Sequence, residues 1–268
     1  MPKMLYNSFA GRCLLKLLTT PVVSKAAGAF MNSSFSKPVI KPFINKKKID
    51  MSDYKTENWS SFNEFFTRKL RPGKRPVDER ENSLISPCDG YLTVYNITNE
   101  STFEIKNSVY TIKDLTQNSE LADTYHGGQC LVFRLTPSDY HRYVYPDTGC
   151  KGKNTFIGGV LHTVRPIAFE KYPVFKTNSR EYTILRTNNF DDVVFMEVGA
   201  MLVGRIENYH QEHNFSRGEE KGKFLFGGST IIMLLKKDIA LIDYEIKEAN
   251  NHGEEFKVKM GEKIGVRI

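Results

Sequence analysis

Apolar positions change rhythm along the chain. In the first fifty residues they cluster and are interrupted by lysine and arginine. Leu5, Phe9, Leu14, Leu15, Leu17, Leu18, Val22 and Val23 form one such stretch, with Arg12 and Lys16 four apart on one helical face. Pro21 is predicted to end or kink this helix. A second patch, Ala26 to Met31, runs into a Ser-rich turn, after which Val39, Ile40, Phe43 and Ile44 alternate with Lys37, Lys41 and Lys46 to Lys48. Near residue 60, Ser60 or Ser61 is placed to cap a helix carrying Phe62, Phe65 and Phe66 on one face, with Pro72-Gly73 as its stop. Phenylalanines at that spacing read first as core.

From residue 84 the rhythm becomes that of strands. Residues 91–97 alternate, whereas 129–135, 193–198 and 231–235 are nearly continuous apolar runs, as in strands buried on both faces. Residues 239–246 follow the last run across Lys236-Lys237-Asp238 and read as the second arm of a hairpin. Short strands between glycine turns predict a mostly antiparallel, β-rich body. The fold class expected is α+β: N-terminal amphipathic helices on a β-rich catalytic body. The division expected is an N-terminal segment, residues 1–50, read below as membrane-associating, and a β-rich domain, residues 51–268, which carries the candidate chemistry.

Charge sharpens that division. The 268 residues carry a net charge of +7. Residues 1–50 hold nine Lys/Arg against one acid, Asp50, so this segment is +8 and the rest of the chain −1. A near-neutral body disfavours a nucleic-acid binder. No run of about 18 uncharged apolar residues exists, so a spanning helix is not expected, and Arg12 and Lys16 interrupt what would be a secretory signal. Three readings of the segment stand. It lies in an anionic membrane interface, making the protein peripheral (on the cytoplasmic membrane, if bacterial); it packs as ordinary helices with solvated lysines; or it is a mitochondrial targeting peptide. The first accounts best for the charge asymmetry. The four cysteines, Cys13, Cys88, Cys130 and Cys150, are scattered without a C-x-x-C pair, which fits a reducing compartment or small buried hydrophobes.

Candidate chemistry centres on Phe226-Gly227-Gly228-Ser229-Thr230-Ile231. Gly-Gly-Ser-Thr most often reads as a turn before a strand. Its chemical reading is a Ser229 hydroxyl at a strand mouth, able to attack the carbonyl of Gly228. The peptide would shift to an ester and break by elimination, converting Ser229 to a pyruvoyl group. Backbone N–H groups of the glycine turn would steady the oxyanion. Asp89, in Ser86-Pro87-Cys88-Asp89-Gly90, is a turn residue or a carboxylate that orients an imidazole. His141 sits in Pro137-Ser138-Asp139-Tyr140-His141-Arg142, and His162 in another strand-like stretch. A lone histidine is more often structural, yet it is the natural proton carrier near neutral pH. Asp89, His141 and Ser229 together make an Asp-His-Ser set. His210 and His213 stand three apart in a polar segment offering no third ligand, so no metal is expected.

The order and content of these pieces resemble one family. Residues 62–73, Ser86 to Gly90, Asp139 to Arg142, Glu197 to Gly204, and Lys221-Gly222 leading into Phe226 to Thr230 are similar to the phosphatidylserine decarboxylase proenzymes, in that family's order, from about residue 55 onward. The resemblance implies self-cleavage between Gly228 and Ser229. A β chain 1–228 and an α chain 229–268 would result, joined as a heterodimer; a homodimer is an open alternative. It also implies a covalent pyruvoyl cofactor derived from Ser229, a charge relay of Asp89, His141 and Ser229, and conversion of phosphatidylserine to phosphatidylethanolamine. Two positions depart from the best-known bacterial pattern: Gly227 replaces a leucine, and Val144 stands where a second histidine follows the first. Either His141 does both proton jobs or His162 takes one. A pyruvoyl decarboxylase of a soluble amine, and a lipid-binding module with no activity, are the competing readings. The basic N-terminus argues against the first, and chain cleavage would exclude the second.

Overall fold

A computed structural model of the chain describes residues 21–55, 58–98, 100–105, 108–160, 174–199, 206–226 and 229–268. The apolar stretch from Leu5 to Leu18, His162, and Gly227-Gly228 lie outside the described residues.

The organising element is the strand Ser229–Leu235, all seven residues of which are buried. It pairs antiparallel with Asp192–Val198 on one side and Gln129–Leu135 on the other. These are the three continuous apolar runs of the sequence, and their lack of alternation has a simple cause: both faces of the sheet are covered. One face packs Ile232, Leu234, Val194, Met196, Cys130 and Val132 into a first core. The other packs Ile231, Met233, Leu235, Phe195, Leu131 and Phe133 into a second. The sheet extends outward through Arg180–Thr187 and Gly149–Lys151 to His213–Phe215, and the other way through Gly90–Asn96 to Phe256–Val258. Two three-stranded sheets flank it: Ile206–Asn208, Glu220–Phe224 and Arg142–Val144 in one, Ser83–Ile85, Lys263–Arg267 and Ala240–Ile242 in the other. The α+β class with mostly antiparallel sheets is what the sequence predicted.

The hairpin expected after Leu235 does not form. Ser229–Leu235 already has a partner along each edge, so a following strand has no free edge to join. Ala240–Ile242 pairs instead with Lys263–Arg267, and Tyr244–Asn251 is helical.

The N-terminal region is helical as read, with Pro21–Asn32, a 3-10 turn Ser34–Val39 and Ile40–Lys47. Pro21, read as a stop or kink, is the first described residue of its helix. The aromatic helix is Phe62–Phe66, and of the two candidate caps Ser61 does the work, its Oγ accepting from the Glu64 amide. The helix stops well before Pro72-Gly73, because Leu70 is drawn into a bridge with Tyr54. Phe62, Phe65 and Phe66 are fully buried and form a third core with Ile40, Met31, Phe43 and Phe226. The N-terminal helices therefore rest on Phe226, three residues before Ser229.

Candidate active site

The strand registers bring the predicted residues to one end of the central sheet. Ser229 lies opposite Leu135. On the far side of the same strand Tyr91 lies opposite Arg134, so Gly90 reaches Leu135 from the other flank. Two strand spacings separate Gly90 from Ser229, roughly 10 Å. Gly90 fits here because its φ is +155° and a Cβ would come within 2.9 Å of the Arg134 carbonyl. The chain leaving Leu135 turns at Thr136, where the Asp139 carboxylate accepts from both the amide and the hydroxyl of Thr136, and then delivers His141. The His141 carbonyl accepts from the Phe224 amide, five residues before Ser229.

His141 is completely buried against the Phe66 ring, 3.9 Å between centroids. Its Nδ1 stands 2.9 Å from the Asp139 carbonyl oxygen. A carbonyl only accepts, so Nδ1 carries the proton. Burial, and secondarily the Arg68 guanidinium, push the imidazole from its ordinary 6.5 down to about 3. The ring is neutral, and Nε2 presents a lone pair that no hydrogen bond among the described residues occupies. Ser229 Oγ is buried and likewise unpartnered. Thr230 Oγ1, on the opposite face of the strand, shares that condition.

Asp89 is nearly buried, and its hydrogen bonds go elsewhere than to His141. Arg75 donates to it twice, Nε to Oδ1 at 2.9 Å and Nη2 to Oδ2 at 2.6 Å, and the Met260 amide donates at 2.9 Å. The corner that Asp89 fixes is nonetheless tied to the histidine strand, since the Val144 amide donates to the Pro87 carbonyl.

Two features escaped the sequence reading. Arg68, 1% exposed, stacks 4.0 Å over Tyr54 and donates to the Ser138 and Asp139 carbonyls, gripping the turn that carries His141. Arg142 donates to the Thr67 carbonyl from the other direction. The aromatic-basic stretch at 62–71 is thus a wall of the site as well as core. The signal was the pairing of a basic run with aromatics, which periodicity assigns only to packing. The second feature is a buried charge pair, Lys221 with Glu197. Asn208 joins it, its Oδ1 2.6 Å from Lys221 Nζ and its Nδ2 3.3 Å from Glu197 and 3.1 Å from Glu181. Glu197 lies opposite Ile231, so its side chain shares a face with Ser229 and is its diagonal neighbour. Burial raises the Glu197 carboxyl above its ordinary value.

The site has the parts for internal acyl transfer: a hydroxyl with no competing partner, a neutral base with a free nitrogen, and surroundings closed to water. An orphaned buried hydroxyl at this position fits a serine that is converted rather than kept, and so fits the pyruvoyl group read from the sequence.

Comparison with known proteins identifies the family. The profile of the phosphatidylserine decarboxylase family matches residues 62–266. A phosphatidylserine decarboxylase proenzyme 2 of Clostridium acetobutylicum is 47% identical over 98% of this chain and 90% of its own length. Phosphatidylserine decarboxylase proenzymes of Ruminiclostridium cellulolyticum and Clostridium perfringens are 43% and 42% identical, each over 97% of this chain and 89% and 90% of their own.

Proposed function

The chain belongs to the phosphatidylserine decarboxylase family and is a carboxy-lyase; from that premise we propose that it matures by cutting itself at Gly228–Ser229 and then decarboxylates phosphatidylserine through the group so formed. The observation that carries this reading is the pair of unpartnered atoms, Ser229 Oγ and His141 Nε2, at one end of the sheet. In maturation, His141 Nε2 takes the Ser229 hydroxyl proton. The oxygen adds to the Gly228 carbonyl and displaces the amide nitrogen, leaving an ester. Loss of the Cα proton of Ser229 breaks the ester's Cβ–O bond, freeing Gly228 as a carboxylate. Uptake of one water and release of one ammonia complete the pyruvoyl end. That group supplies an electron sink for the pair left when CO2 departs. Asp89 is the third member of the set, and its bonds to Arg75 and Met260 make its part positional: it fixes the corner that braces the strand after His141.

The N-terminal helices suit the substrate. Phe30, Phe35 and Val39 are exposed, Phe35 at 82%, beside exposed Lys37, Lys41, Lys46 and Lys48. None of the described helices is long and apolar enough to cross a membrane. This surface fits an anionic bilayer that receives the phenylalanines and pairs with the lysines. It rests on Phe226 through Phe43 and Phe62, three residues from Ser229, so a headgroup at that surface is close to the site. The Phe226 amide donates to Asn63 Oδ1, fixing the same junction.

Denaturing intact mass of purified protein tests the reading. The expected result is two fragments split at Gly228/Ser229, the smaller lighter by one ammonia than a fragment starting with free Ser229. A single full-length mass from protein that is active on phosphatidylserine would overturn it.

A further inference from the structure

The sequence offers His210 and His213 no third ligand, but the fold supplies one. Glu219 arrives from the turn into Glu220–Phe224, and one donor atom from each of the three residues lies within 4.8 Å of the others. We propose that His210, His213 and Glu219 form a binding site for a late first-row divalent metal ion, zinc above all, separate from the Ser229 site.

The three side chains already form one cluster. The two imidazoles stack face to face, 3.7 Å between centroids and 11° from parallel. His213 Nε2 is 2.6 Å from Glu219 Oε1, while Glu219 Oε2 accepts from the Ser216 amide. Tyr145 Oη lies 3.3 Å from His210 Nδ1, so the ring can hold its proton there and offer Nε2 to a metal. Such outer hydrogen bonds are what orient histidine and carboxylate ligands in metal sites. Tetrahedral zinc with bonds of about 2.0–2.1 Å needs donors roughly 3.3 Å apart and the ion in the plane of each ring, so on binding His213 Nε2 opens away from Glu219 Oε1 and the two stacked rings rotate out of parallel.

The donor set selects the metal. Lys151 Nζ occupies the carbonyls of His210 and Gln211, at 2.8 and 2.7 Å, and removes them as oxygen ligands. Two imidazoles and one carboxylate remain, a set that suits zinc, nickel or copper and is poor for calcium or magnesium. His213 and Glu219 keep 28% and 35% side-chain exposure, leaving the fourth position to water. The ion would pin the segment after Ile206–Asn208, the strand His213–Phe215 and the turn before Lys221 to one another.

Isothermal titration of ZnCl2 into chelator-treated, tag-free, full-length protein tests this. One ion per chain is expected, with a rise in melting temperature, and no binding of calcium or magnesium. The double variant His210→Ala/His213→Ala should lose both effects. Glu219→Gln, a milder change, should weaken binding while melting as wild type does without metal. Tyr145→Phe should weaken it about tenfold. Stoichiometric zinc bound equally by wild type, the double variant and Glu219→Gln would overturn the assignment, as would no binding by wild type at micromolar zinc.

Discussion

Ser229 and Glu197 stand diagonal to one another on the same face of the same sheet, both buried, and their polar atoms are treated in opposite ways. Around Glu197 each partner is answered. Lys221 donates to Glu197 and Asn208, Asn208 donates to both Glu197 and Glu181, and the Lys221 ammonium also lies 4.9 Å over the Phe195 ring. Around Ser229 the pattern is the reverse: its hydroxyl and the His141 Nε2 each lack a hydrogen-bond partner among the described residues. Burying an unpaired polar group costs about 1–3 kcal/mol. A fold able to complete a four-residue network a few ångströms away has the means to complete this pair too. The difference teaches that the Glu197 network serves the fold, whereas the Ser229 end is left open in the way the proposed self-cleavage requires.

Substitution at the reactive end should move chemistry and leave the fold. Ser229→Ala removes the attacking oxygen and one orphaned polar atom together. Cleavage and decarboxylation should both vanish while the thermal midpoint stays or rises, by gel, substrate assay and circular dichroism. A cleaved Ser229→Ala chain would remove Ser229 from the mechanism. His141→Asn keeps a small polar side chain but no base of comparable strength. Maturation should slow by about a hundredfold or more, followed by the time course of fragment appearance. Normal processing would place the base elsewhere, His162 first.

At the satisfied end the order of effects reverses. Lys221→Met leaves Glu197 buried without its cation and should cost about 3–5 kcal/mol in urea unfolding. Adding Glu197→Gln, which removes the stranded charge, should return a large part of that loss. A single variant as stable as wild type would mean that the pair is not compensating a buried charge, and the contrast with Ser229 would fail.

How much of this was legible beforehand follows from the range of each interaction. The strand at Ser229 could be read because a strand buried on both faces writes an unbroken apolar run. The helix at Phe62–Phe66 could be read because its cap and its aromatic spacing are local. The partner strand of Ala240–Ile242 could not, since edge occupancy is decided by strands far away in sequence. The same holds for side-chain partners. Arg75 on Asp89, Arg68 on the Asp139 turn and Glu219 beside the two histidines are contacts made by folding, and no spacing encodes them. Motif order pointed to the candidate residues, and the geometry supplied the company each one keeps.

The smallest effect concerns the proton on His141. An imidazole held below its ordinary 6.5 binds fewer protons folded than unfolded. Its contribution to stability is therefore complete above pH 6.5 and is lost as the pH falls toward about 3. Histidine NMR on the uncleaved Ser229→Ala chain can follow this ring directly. It should stay neutral, protonated at Nδ1, with no titration from about pH 8 to 5. Arg68→Gln removes the second cause of the depression and loosens the turn at Asp139, so the titration should move upward. It should still fall short of 6.5, because burial against Phe66 is the larger cause. A ring titrating near 6.5 in the parent chain would mean that water reaches Nε2. The unpartnered nitrogen would then be solvated rather than held for Ser229, and the two ends of the sheet face would differ only in exposure.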